Sequence, residues 1–266
     1  MCDCANHDRR ERLRPTRRQV LAGGVAAVVA ASARLNLACA PPPVVGPLSI
    51  HPRATWGADL PPRGPLEPED VRFLLVHHAA VANSYGPSGV VPLLRNTYAY
   101  QTGPDKRWPD VCYNFFVDRF GGIWEGRAGS LDGPVRADAT GGSQGYAQLV
   151  CLLGDFMVRR PSAEMVASLV ALLALLADQH ALSADLSATV SFVSRGSERW
   201  PTGSTVTARP ISGHRDMSFT YCPGDVVYPM LADEIPARVA AVRTQPAPPP
   251  TALAAMPDAV TDRSTA

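Results

Sequence analysis

Apolar residues in this chain are gathered into short runs separated by long polar stretches rich in proline and glycine. Residues 71–76, Val-Arg-Phe-Leu-Leu-Val, hardly alternate, which is the pattern of a strand covered on both faces, and 148–153 read as another apolar strand. Residues 111–118 do alternate: Tyr113, Phe115 and Val117 take one face, and Cys112, Asn114 and Phe116 the other. Gly121-Gly122 then turns the chain into 123–127, which predicts a hairpin. Helical spacing places Val91, Leu94, Thr97 and Tyr98 on one face of 90–100, with Pro92 tolerated in the first turn. The strongest helix is predicted over 163–181, capped by Ser162 and carrying Glu164 in its first turn. Its 169–176 section is apolar on most sides, yet Gln179 and His180 follow too soon for a membrane span, so a buried core helix is expected.

Residues 225–242 repeat the helical spacing through Val226, Val227, Met230, Leu231, Ile235 and Val239. Residues 50–60 read as a turn-like lead-in whose Trp56 packs over a sheet edge. The 183–209 stretch reads as a long irregular loop of the kind kept for function. Strands alternating with helices predict an α/β fold: a single domain with a central mixed β-sheet flanked by helices.

Composition sharpens the boundaries. An apolar fraction of 46% is ordinary for a globular domain, whereas 26 prolines are not, and they cluster at 41–43, 61–68 and 246–250. The N-terminal basic stretch ends in Thr16-Arg17-Arg18-Gln19-Val20-Leu21, followed by a weakly apolar Ala/Gly-rich run over 20–33. That is a twin-arginine-type export signal. The expected layout is a signal segment over 1–40, a Pro-rich linker over 41–49, a folded domain over 50–244 and a disordered Pro/Ala-rich tail over 245–266. Ala38-Cys39-Ala40 reads as a small-residue cleavage site, with acylation at Cys39 as the lesser alternative, so the mature protein is expected outside the cytoplasmic membrane, secreted or lipid-anchored. Residues 1–40 hold seven arginines and three acids, so the remainder carries 18 basic and 21 acidic residues. A slightly acidic domain is not a nucleic-acid binder. The sequence leaves oligomeric state open.

The densest chemistry lies in 212–224, where His214, Thr220 and Cys222 put an imidazole, a hydroxyl and a thiol in one short loop. The buried strand pattern of 71–76 ends on His77-His78, and a strand end is a rigid place for a ligand. With the leader removed, Cys112, Cys151 and Cys222 remain, and an odd count in an exported protein asks for one special thiol. Cys112 and Cys151 then pair as a disulfide or stay as buried thiols. His77, His214 and Cys222 make three ligands with a fourth position left for water, and the thiolate favours Zn²⁺ over Mg²⁺ or Ca²⁺. The zinc site is expected at the strand ends. Adjacent strand residues point to opposite faces, so His77 and His78 do not both bind one ion. Thr220 shares a face with Cys222 if the loop is extended, and Tyr113 is either core or a phenol beside the metal able to donate to an oxyanion. Glu125 is the nearest carboxylate, though a surface or salt-bridged role suits it better. His180 is expected at a helix C-terminus facing solvent.

Arg53 with Trp56-Gly57-Ala58, Val76-His77-His78, Tyr113-Asn114-Phe115, Glu125-Gly126-Arg127, Leu153-Gly154-Asp155-Phe156 and Gly213-His214-Arg215-Asp216 occur in this order. Thr220 and Cys222-Pro223-Gly224 follow. Together these motifs resemble the peptidoglycan recognition proteins and the zinc-dependent N-acetylmuramoyl-L-alanine amidases. The resemblance selects His77 over His78 and implies His77, His214 and Cys222 as zinc ligands, with Tyr113 and Thr220 positioning water and stabilising the intermediate. It implies hydrolysis of the amide between N-acetylmuramic acid and L-alanine, with peptidoglycan or muramoyl-peptide fragments as partners. Non-catalytic binders share the resemblance but commonly lack the cysteine. Two departures concern the substrate groove rather than the metal: Gln101 and Asp138 stand where family members often carry histidine.

Overall fold

A computed structural model describes residues 48–244 apart from 143, 184 and 186, so the expected leader and tail lie outside the described residues. The strands are β1 (Ile50–His51), β2 (Phe73–His78), β3 (Phe115–Val117), β4 (Ile123–Glu125), β5 (Ala147–Leu152), β6 (Val190–Val193), β7 (Thr205–Ala208) and β8 (Ile211–Gly213). The helices are α1 (Ala54–Gly57), α2 (Val90–Gln101), α3 (Ala163–Gln179), α4 (Val227–Met230) and α5 (Glu234–Thr244). One six-stranded sheet runs β1-β4-β3-β5-β2-β8. It is mixed: β3 and β4 are antiparallel, while β1 with β4, β3 with β5, β5 with β2 and β2 with β8 are parallel.

Every residue of β2 and β5 is buried, which is why neither sequence alternates. The two faces of β2 serve separate cores. Leu74 and Val76 pack with α3, α4 and α5 through Leu169, Leu173, Val227, Leu231 and Ile235. Phe73 and Leu75 face the other way, toward Leu94 and Tyr98 of α2, Tyr113, Phe116 and the β6–β7 pair through Phe192 and Val206. The protein is thus a mixed α/β domain with helices against both faces of its central sheet.

The α3 helix forms as its sequence predicts. Ser162 accepts a hydrogen bond from the Met165 backbone N–H at 3.2 Å, Glu164 sits in the first turn, and Leu169, Leu172, Leu173 and Leu176 are buried. Each such side chain contributes roughly 1.5–3 kcal/mol by leaving water. No helix among the described residues is long and apolar enough to cross a membrane.

The structure departs from the sequence reading in three places. The strand expected over 111–118 is confined to Phe115–Val117, because Asn114 turns its side chain to the Leu149 N–H and the Val135 carbonyl. The 183–209 stretch is not irregular throughout: β6 and β7 form an antiparallel hairpin of their own, packed on the sheet through Phe192 and Val206. The helical run expected over 225–242 divides into α4 and α5, the second beginning after Asp233, whose carboxylate accepts the Glu234 N–H.

Candidate metal centre

Strand register builds the site. β2 and β8 pair in parallel with Val76 beside Gly213, so the next residues, His77 and His214, emerge side by side where β8 gives way to a 3₁₀ turn, His214–Asp216. Their rings lie 4.4 Å apart between centroids. The chain then loops back and delivers the Cys222 Sγ to 3.6 Å from the His77 Nδ1. All three side chains are buried, and one ligand atom from each lies within 4.8 Å of the other two. Among the described residues this is a group able to hold a metal ion.

Two observations test the fit. The His77 Nε2 and both ring nitrogens of His214 are buried without a hydrogen-bond partner, an arrangement that costs about 1–3 kcal/mol per group unless a ligand fills it. Donors around a tetrahedral ion at 2.0–2.3 Å sit about 3.5 Å apart, close to the His77–Cys222 separation. Burial also holds both imidazoles neutral, the form that binds metals: it pushes His77 well below its usual range and His214 down to about 3, with neighbouring histidines adding to the effect. The residues present therefore suit a borderline metal with nitrogen and sulfur donors.

His78 points to the other face, as strand geometry requires. Its Nδ1 accepts the Phe156 N–H at 3.2 Å, and its backbone N–H donates to the Cys222 Sγ at 3.4 Å. Arg215 holds the loop that carries Cys222. It donates from its backbone N–H to the Cys222 carbonyl at 3.1 Å, from Nη2 to the Tyr221 carbonyl, and pairs with Asp225 at 3.2 Å. Asp216 closes the turn by accepting the Gly213 N–H at 2.8 Å and the Tyr228 hydroxyl at 2.6 Å. Gly224 completes the loop with a φ of +99°, where a Cβ would sit 2.4 Å from the Phe156 carbonyl oxygen.

The Tyr113 ring lies 5.1 Å from the His77 ring, and Tyr113 and His214 both line a cavity of about 420 Å³. Thr220 lies on the same loop as Cys222, and its hydroxyl accepts the Cys222 N–H at 3.2 Å. Glu125 is neither at the surface nor in this group: it is buried and accepts the Arg53 and Leu131 N–H groups at 2.7 and 3.2 Å. His180 is half-buried and bonds Gln148 at 2.8 Å rather than facing solvent alone. Cys112 and Cys151 are buried thiols, not a disulfide.

The two positions singled out as departures both line the cavity. Gln101 is buried and accepts the Cys112 N–H at 2.8 Å, and Asp138 pairs with the buried Arg127 at 2.6 Å. A family model described as N-acetylmuramoyl-L-alanine amidase, Amidase_2, matches residues 67–225, a span that begins before β2 and ends after the Cys222 loop. The chain belongs to this amidase family. Its relatives include peptidoglycan recognition protein 1 of Mus musculus, 27% identical over 183 residues, which cover 68% of this chain and 85% of the relative. The fold of this family member matches the amidase LysC of Clostridium intestinale with a TM-score of 0.50 at 17% identity, covering 72% of this chain and 97% of that one. It matches human PGRP-IβC, solved in complex with glycosamyl muramyl pentapeptide, with a TM-score of 0.52 at 19% identity, covering 69% and 95%.

Sequence reasoning found the three buried ligand-type residues but passed over Arg215 and Asp216, whose roles lie in shaping the loop. Their signal was their place inside the same short motif.

Proposed function

We propose that the protein is an exported zinc-dependent amidase that cleaves the amide between N-acetylmuramic acid and L-alanine in peptidoglycan. The observation that carries the reading is the buried convergence of His77, His214 and Cys222, with imidazole nitrogens that nothing else satisfies. A thiolate beside two imidazoles favours zinc, which when bound supplies a Lewis acid and brings the pKa of water toward neutrality. His77, His214 and Cys222 would hold the ion.

The chain's own groups do the rest. Tyr113, beside His77 and in the cavity wall, donates its hydroxyl to the oxygen that gains charge when the amide carbonyl is attacked. Thr220 accepts the Cys222 N–H and so fixes the loop, and its own proton remains available to orient water. The cavity beside His214 takes the muramoyl-peptide. Membership of the amidase family and the muramyl-peptide complex of the human structural neighbour support this choice of substrate. Export rests on the twin-arginine pattern of Arg17-Arg18, and membrane attachment, if any, on Cys39.

A second reading, a peptidoglycan-binding protein without turnover, is favoured by the recognition-protein relatives. A defined muramoyl-peptide incubated with zinc-loaded and with chelated protein separates the two. Mass spectrometry that finds zinc-dependent release of free stem peptide supports the amidase. Ligand that stays bound and intact on zinc-loaded protein refutes it in favour of the binder.

A further inference from the structure

The β6–β7 hairpin lies outside every motif that marks the metal centre, yet its connecting segment reaches that centre. Arg195 anchors the segment to the buried carboxylate of Glu69 at 2.9 Å. Arg199 Nη1 donates to the Arg215 carbonyl at 2.6 Å, and Trp200 Nε1 donates to the Asp216 carbonyl at 2.8 Å. The Glu198 N–H donates to the carbonyl of Gly141 at 2.8 Å. Residues 195–200 are therefore fixed both to the turn that follows His214 and to the glycine wall of the cavity.

This fixing places the Glu198 side chain in the cavity wall, in the same lining as His214 and Tyr113. The carboxylate is oriented by one bond, in which its Oε2 accepts the Ser218 hydroxyl at 2.5 Å. The other charged groups of the lining are engaged elsewhere. Asp138 pairs with Arg127 at 2.6 Å, Arg136 with Glu67 at 3.4 Å, and Lys106 lies over the Tyr100 and Trp108 rings. Glu198 has no cationic partner among the described residues. A carboxylate held by a rigid segment, with one oxygen already spent and the other open, is built to accept from a cation that enters the cavity.

We propose that Glu198 is a specificity-determining residue that accepts the protonated side-chain amine of the stem peptide. The inference rests on the reading of the cavity as a muramoyl-peptide site. Glu198 is exposed, so solvent screens the pair and the preference is modest, about two- to fivefold.

The test uses two muramoyl-tripeptides that differ only in the third residue, lysine or Nε-acetyl-lysine, titrated calorimetrically into the chelated full chain so that no turnover intervenes. The expected result is tighter binding of the lysine peptide by about two- to fivefold, with the advantage shrinking between about 0.05 and about 0.5 M salt. Glu198→Gln keeps an oxygen for the Ser218 hydroxyl and removes only the charge. It is expected to bind both peptides equally, as wild type binds the acetylated one, and to melt at the wild-type temperature. Equal binding of the two peptides by wild type, or a preference that survives in Glu198→Gln, overturns the proposal and leaves the amidase reading in place. Binding of neither peptide, with no zinc-dependent stem-peptide release, overturns both.

Discussion

The backbone N–H of His78 donates to the Cys222 Sγ across 144 residues of sequence, at 3.4 Å. A donor aimed at sulfur favours the thiolate, the form that binds a metal. Cys222→Ala is therefore expected to lower zinc content, measured by elemental analysis, from one ion per chain to a small fraction, and to abolish stem-peptide release. Full zinc occupancy in the variant would show that the ion sits elsewhere.

Tyr113→Phe removes the hydroxyl of a ring that lies 5.1 Å from the His77 ring and leaves the ring that packs on Phe116. A single lost oxyanion donor costs about 2.7–4 kcal/mol, so kcat should fall by about 10²–10³ while KM and zinc content stay near wild type. Unchanged kcat would remove Tyr113 from the chemistry and return it to the core.

The metal-free protein should lose stability as pH falls. His214 has its folded pKa pushed from 6.5 down to about 3, and His77 is also lowered, both first by burial. Below 6.5 the unfolded chain takes up protons that the folded one refuses, so the stabilisation is full above 6.5 and drains away as pH drops toward 3. The slope is about 1.4 kcal/mol per pH unit for each histidine. Melting of chelated protein at pH 7 and pH 5 checks this. A melting temperature that rises on acidification would mean that the imidazoles are charged in the folded state.

Asp110 meets the Arg53 guanidinium at 2.9 and 3.1 Å, with the carboxylate fully buried, and Arg53 also donates to the Gly126 and Leu60 carbonyls. Asp110→Ala strands a buried cation and is expected to destabilise the domain by about 3–5 kcal/mol. Urea unfolding measures it, and a loss below about 1 kcal/mol would show that the pair is not structurally important.

Much of this architecture was legible because burial on two faces leaves an unmistakable pattern. The unbroken apolar run before His77 and the capped, leucine-rich stretch after Ser162 appear as β2 and α3 almost to the residue. The β6–β7 hairpin was not legible, since Val190–Val193 and Thr205–Ala208 are short, half-exposed and separated by a loop full of turn residues. In the site, His77, His214 and Cys222 could be named as a group because ligand-type side chains are rare and chemically marked. Their closeness could not be read, because it depends on Val76 pairing with Gly213, a register that a single sequence does not print. Glu198 was invisible for the same reason: nothing local connects it to Ser218.

That register also sets an order of events during synthesis. β2 lies between β5 and β8, so the inner part of the sheet is finished only when residues near 213 have left the ribosome, and the third ligand follows at 222. A nascent chain halted before that point holds His77 at the end of an incomplete sheet, without the neighbours that bury it. Contacts this distant in sequence form late and slowly. The centre can thus be assembled only after Cys222 has been made, so an ion held by all three ligands is acquired late in synthesis or after it.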